Sequence, residues 1–77
     1  MLRTVKPANS YQSPAIGDKI RRLRYPLGLT QQALASLVFV DQSFISQAER
    51  GLVPITLEEL ERIARALEVS VGTLVQA

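Results

Sequence analysis

From Ala15 onward, apolar and polar positions follow one another with a helical period. Ile16, Ile20, Leu23 and Leu27 lie at steps of four, three and four and define one face of a first helix. Pro14 precedes its first turn, where a proline is tolerated because its missing N–H has no intrahelical partner there. Pro26 cannot donate a backbone hydrogen bond and disfavours helical geometry at Tyr25. The helix is therefore expected to end or kink near Tyr25, with Gly28 supplying a turn. Thr30 is a good N-cap for a second helix, Gln31 to about Val38. Asp41 is one for a third, Gln42 to about Arg50, closed by Gly51. Thr56 and Glu59 have the spacing of a capping box, and the helix they open carries Leu57, Leu60, Ile63, Ala64 and Leu67 at helical spacing. Ser70 caps a short last helix with Val71, Leu74 and Val75, weakened by Gly72. No strand pattern is long enough to matter. The pattern predicts an all-α, compact five-helix bundle over residues 15–77. Residues 1–14 have no helical period, and the prolines, Asn9, Ser10 and Ser13 among them predict an extended or flexible N-terminal arm.

Composition narrows the function classes. Seventy-seven residues make one small domain, too few for an enzyme whose cleft gathers groups from distant segments. The chain has no Cys, hence no disulfide and no thiolate metal site, and no His, the commonest general base and metal ligand. The acids sit mostly on a solvent-facing helix, and there is no glycine-rich phosphate loop. No enzyme activity, catalytic residue, metal site or cofactor is expected. No apolar run approaches the ~20 residues of a membrane span, and the N-terminus lacks the apolar segment of a secretory signal. A cytoplasmic protein with no membrane partner is expected.

Charge is unevenly distributed. Up to Tyr25, Arg3, Lys6, Lys19, Arg21, Arg22 and Arg24 stand against Asp18 alone; beyond it, acids outnumber Arg50, Arg62 and Arg65 by six to three. This asymmetry suits a face turned towards a polyanion, or ordinary solvated helix charge.

The second and third helices are short and only about three residues apart. Two helices so joined suit a brace and a helix that enters the DNA major groove. Ala35 is small enough for a close helix crossing, and Leu34, Val38, Val40, Ile45 and Ala48 can point into a shared core. Gln42, Ser43, Ser46 and Gln47 then face outward. Gln can pair bidentately with adenine, and Ser bonds to several base or phosphate acceptors. The alternative is a polar face that serves only solubility.

Residues 16–75 resemble the helix-turn-helix domain of the Cro/repressor, or xenobiotic-response-element (XRE), type. The residues that carry the resemblance are Ile16-Gly17, Ile20-Arg21-x-Leu23-Arg24, Gly28-Leu29-Thr30-Gln31 and Leu34-Ala35. They continue with Gln42-Ser43-Phe44-Ile45-Ser46, Glu49-Arg50-Gly51 and Leu60-x-x-Ile63-Ala64-x-Ala66-Leu67. The resemblance implies a lambda-repressor-like fold and a DNA-binding regulator. Gln31 would touch a phosphate and buttress the first recognition residue. Gln42, Ser43 and Gln47 fall on base-reading positions with Ser46 beside them, and Thr30, Gln32 and Arg50 complete the expected DNA-binding set. Arg24 and Glu49 match an ion pair that ties the first helix to the third. Lys19, Arg21 and Arg22 contact phosphate or remain solvated. Arg3 and Lys6 enter an adjacent minor groove or stay in an uninvolved tail.

The chain departs from the family pattern in three places. Phe39 stands where the turn usually has Gly, a place that favours positive φ. Its ring is expected to cover the nearby core. Leu52 and Val53 replace basic or polar residues near the DNA backbone, and Pro26 alters only the end of the first helix. The less basic surface predicts modest monomer affinity and a need for dimerisation. Val71, Leu74 and Val75 are the first candidate dimer surface, with core closure as the alternative; Leu52 and Val53 are the second. The expected function is sequence-specific binding of double-stranded DNA by a homodimeric transcriptional regulator, a repressor on a palindromic operator. The alternative is an antitoxin or bridging protein whose main partner is a protein such as a toxin. Similar-sized relatives also include restriction–modification controllers.

Overall fold

The computed structural model describes residues 10–76. Among them are five α-helices, α1 (Pro14–Arg24), α2 (Gln31–Val38), α3 (Gln42–Glu49), α4 (Leu57–Ala66) and α5 (Val71–Val75), and two short strands, β1 (Ser10–Tyr11) and β2 (Ile55–Thr56). Arg3 and Lys6 lie outside the described residues.

Every helix starts on a side-chain cap. Thr30 accepts from the Ala33 amide at 2.9 Å, Asp41 from Phe44 at 2.9 Å and Ser70 from Thr73 at 3.2 Å. Thr56 and Glu59 close a reciprocal capping box, at 3.1 Å and 2.9 Å. Each cap supplies an acceptor to an N–H that the helix itself leaves without a partner. The first helix departs from expectation here. Its cap is Ser13, bonded to the Ile16 amide at 3.0 Å, and Pro14 is the first helical residue. At the other end α1 gives way to a 3₁₀ turn, Tyr25–Leu27, so Leu27 leaves the buried face and is exposed.

Ile20, Leu34, Ile45, Leu60, Ile63 and Leu74 are wholly buried, so all five helices contribute to one aliphatic core. The backbones of α1 and the end of α3 approach closely at Gly17. A Cβ placed on Gly17 would fall onto the carbonyl oxygens of Ala48 and Glu49 and 2.6 Å from the Glu49 carbonyl carbon. Only glycine lets the two backbones meet there.

The two strands are a departure from the helix-only expectation. They pair antiparallel, Ser10 opposite Thr56 and Tyr11 opposite Ile55. Gln12 Nε2 adds a bond to the Gly51 carbonyl at 3.3 Å, and Gly51 itself holds φ +73° against the backbone of Pro14. The segment before α1 is thus anchored to the loop that follows α3. A two-residue ladder leaves no alternation in a sequence to read.

The α2–α3 turn keeps the backbone of a glycine turn while carrying an aromatic residue. Phe39 sits at φ 64°, ψ 42°, and both its N–H and that of Val40 donate to the Ala35 carbonyl. Its ring does not cover the core, contrary to the sequence expectation: Phe39 is 82% exposed. The left-handed backbone decides this, because it fixes the direction of the Cα–Cβ bond. A non-glycine residue in this region costs about 1–3 kcal/mol, and the exposed ring gains little packing in return. Phe39→Gly is expected to raise stability by about 1 kcal/mol, after the greater freedom of glycine in the unfolded chain is subtracted. Urea unfolding followed by circular dichroism measures it, and a lower midpoint would show that the ring packs usefully.

Candidate nucleic-acid interface

α3 turns two faces in opposite directions because its apolar residues are spaced for one side only. Ile45 and Ala48 are buried, while Gln42, Ser43 and Gln47 are exposed and Ser46 is half-buried. The Gln47 amide lies 3.4 Å from the Ser43 hydroxyl, within one turn of the same face. The exposed side of α3 therefore offers amide and hydroxyl groups and no charge before Arg50. Arg50 follows as the C-terminal cap, exposed and without an ion pair among the described residues.

Behind this face lies a buried polar knot. Arg24 Nε meets Glu49 Oε2 at 2.7 Å and Arg24 Nη2 meets Glu49 Oε1 at 3.1 Å, with only 7% and 3% of the side chains exposed. Arg24 Nη1 also donates to the Leu29 carbonyl at 2.8 Å, which ties in the chain just before α2. The hydrogen bond from Arg24 to the Glu49 carboxylate raises the guanidinium pKa still further, so the group stays charged. Gln31 belongs to the same knot: its amide donates to Glu49 Oε1 at 3.1 Å. One end of α1, the start of α2 and the end of α3 are thereby held at one point. The bond observed for Gln31 runs back to Glu49 and not forward to Gln42, and one amide hydrogen is left over for another acceptor.

Thr30 and Gln32, at the start of α2, are both exposed. The basic residues of α1 are less available than their number suggests. Asp18 pairs with both Arg21 and Arg22, and the hydrogen bond from Arg21 holds its carboxyl below the usual range. Lys19 Nζ reaches the Gln76 carbonyl at 2.6 Å and ties α1 to the end of α5.

Two tertiary ties were missed in the sequence. The first is the bond from Lys19 to Gln76. The second is Arg62, whose Nε donates to the Val38 carbonyl at 3.0 Å while Nη1 lies 3.4 Å from Glu58. Arg62 thus satisfies the open end of α2 at the turn. No local spacing points to either carbonyl, since the acceptors lie 57 and 24 residues away in the chain. The aliphatic residues considered for a dimer surface divide. Leu74 is wholly buried in the core of the single chain, which removes it from any partner. Val71 and Val53 are half-buried against that core, whereas Leu52 and Val75 remain exposed.

Two short helices, a tight turn, and a polar exposed face on the second define a helix-turn-helix protein. A helix-turn-helix family model matches residues 20–74, and the chain belongs to that family, in its Cro/repressor type of DNA-binding transcription regulators. The HTH-type transcriptional regulator PrpR of Mycobacterium tuberculosis is 35% identical over 63 residues, 82% of this chain. The match spans only 13% of PrpR, so this chain corresponds to a small part of that regulator. The restriction–modification controller protein C.AhdI of Aeromonas hydrophila is similar in structure, with a TM-score of 0.75 and 33% identity over 78% of this chain and 91% of that one. The P22 c2 repressor, solved in complex with a synthetic operator, has a TM-score of 0.76 and 34% identity over 79% of this chain and 92% of its own. Among the described residues no helix is long and apolar enough to cross a membrane.

Proposed function

We propose that this chain is a sequence-specific binder of double-stranded DNA that acts as a homodimer on a palindromic operator and represses by occluding a promoter. The observation that carries this reading is the exposed Gln42, Ser43 and Gln47 face, set on a helix that the buried Arg24–Glu49 pair holds in place. Gln42 and Gln47 read base edges, with adenine their natural bidentate partner. Ser43 and Ser46 add single bonds, and Thr30, Gln31, Gln32 and Arg50 engage phosphates. Two copies would set their α3 helices ~34 Å apart along one side of the duplex. Leu52 and Val75 are the exposed aliphatic residues that a partner copy would cover.

Selection from a randomised duplex pool at fixed, near-physiological salt tests the reading. A two-fold symmetric site should be enriched. An unsymmetrical site would reject the homodimer, and no enrichment by a folded chain would reject sequence-specific binding by this chain alone. On the selected site, Gln42→Ala should weaken binding by about 1–3 kcal/mol and leave binding to random DNA nearly unchanged. Competition titrations at one salt concentration measure both. Equal losses would mean that Gln42 does not read a base.

A further inference from the structure

The Phe39 ring is placed where neither the core nor the polar face of α3 uses it. It borders a groove of about 220 Å³, lined by Leu37, Phe39, Arg62, Arg65 and Ala66, between the α2–α3 turn and α4. Leu37 is 54% exposed and Phe39 82%, so two large apolar side chains stand together at the surface. A backbone in the left-handed region holds Phe39 there at a cost that a glycine would avoid. The groove is smaller than the ~300–1,000 Å³ of typical small-molecule sites; it suits a single anchoring side chain of a larger partner.

The charge at the rim narrows the partner. Both ionisable residues that line the groove are arginines, and no acid lines it. Arg62 is engaged by Glu58 and the Val38 carbonyl, whereas Arg65 is exposed and has no acidic partner among the described residues. A second copy of this chain is disfavoured, because an isologous contact would bring the two arginine pairs face to face.

We propose that this groove docks a segment of a partner protein that inserts one large apolar side chain against Leu37 and Phe39 and places a carboxylate on Arg65. Such an arrangement is that of an acidic amphipathic helix laid into a groove. The proposal does not rest on the DNA-binding reading, whose test uses other residues.

Random dodecapeptides displayed on phage and selected on the purified chain test it. The winning peptides are then synthesised and titrated onto isotopically labelled chain by NMR. The expected winners combine a large apolar residue with Asp or Glu one helical turn away, and shift the resonances of Leu37, Phe39, Arg65 and Ala66. Phe39→Gly and Arg65→Glu should each weaken them at least tenfold, and a peptide with Lys in place of its acid should regain affinity for Arg65→Glu. Circular dichroism confirms that both variants are folded. Failure to enrich peptides, winners without an acid, shifts centred elsewhere, or affinities unchanged in the two variants would each overturn the proposal. So would self-association of the chain that Phe39→Gly abolishes, since that result would assign the groove to a second copy.

Discussion

Glu49→Ala is expected to destabilise the domain by about 3–5 kcal/mol, most of the margin available to a chain of this size. The substitution leaves the Arg24 guanidinium with the Leu29 carbonyl and the face of the Tyr25 ring, 4.9 Å away, but with no counter-charge, at a site where Arg24 is 6% exposed. Neutralisation offers no escape, because an arginine does not lose its proton in the accessible pH range. An exposed ion pair would cost only ~0–1 kcal/mol to break, so the size of the loss distinguishes a buried pair from a decorative one. Glu49→Gln retains hydrogen-bonding capacity without the charge and should fall between wild type and Glu49→Ala. Urea unfolding of the three chains measures the order. A loss below about 1 kcal/mol for Glu49→Ala would mean that water reaches Arg24. Because Gln31 shares the carboxylate, the same variant should also loosen the start of α2, seen as faster amide exchange there.

Gly17→Ala is expected to cost about 3 kcal/mol, at the upper end for an overpacked site. The added methyl meets the main chain of Ala48 and Glu49, and a backbone carbonyl cannot rotate aside as a flexible side chain can. Relief requires α1 to move off the end of α3, which would also draw Arg24 away from Glu49. The two substitutions therefore act on one contact, and the double variant should lose less than the summed losses of the single variants. Thermal unfolding of the single and double variants tests this. A loss for Gly17→Ala within ~0.5 kcal/mol, as at an ordinary surface site, would show that the helices separate without penalty.

Much of this molecule is encoded over three or four residues. Thr30, Asp41, Thr56 and Ser70 cap the helices read from them because each cap bonds an amide three positions away. The apolar spacing of Ile16 and Ile20, and of Leu60, Ile63 and Ala64, likewise places them in the core. The polar side of α3 follows from the same periodicity, since burying Ile45 and Ala48 leaves Gln42, Ser43 and Gln47 outside. Ser13 is the instructive exception. It is as good a cap as the others, but it falls within the segment expected to be an arm, because a proline in the sequence marks a boundary as readily as a first helical residue, which Pro14 is.

The five helices, the caps of the last four and most of the residues that face the core follow from near neighbours along the chain. Most of the contacts between elements depend instead on how distant segments come together. Lys19 reaches a carbonyl 57 residues away, Arg62 one 24 residues away, and Ser10–Tyr11 pair with a strand beyond α3. Leu74 and Val75 are adjacent and aliphatic, yet one is wholly buried and the other exposed, according to which points at the other helices. Phe39 faces outward because the α2–α3 turn imposes its left-handed backbone on whatever residue occupies that position.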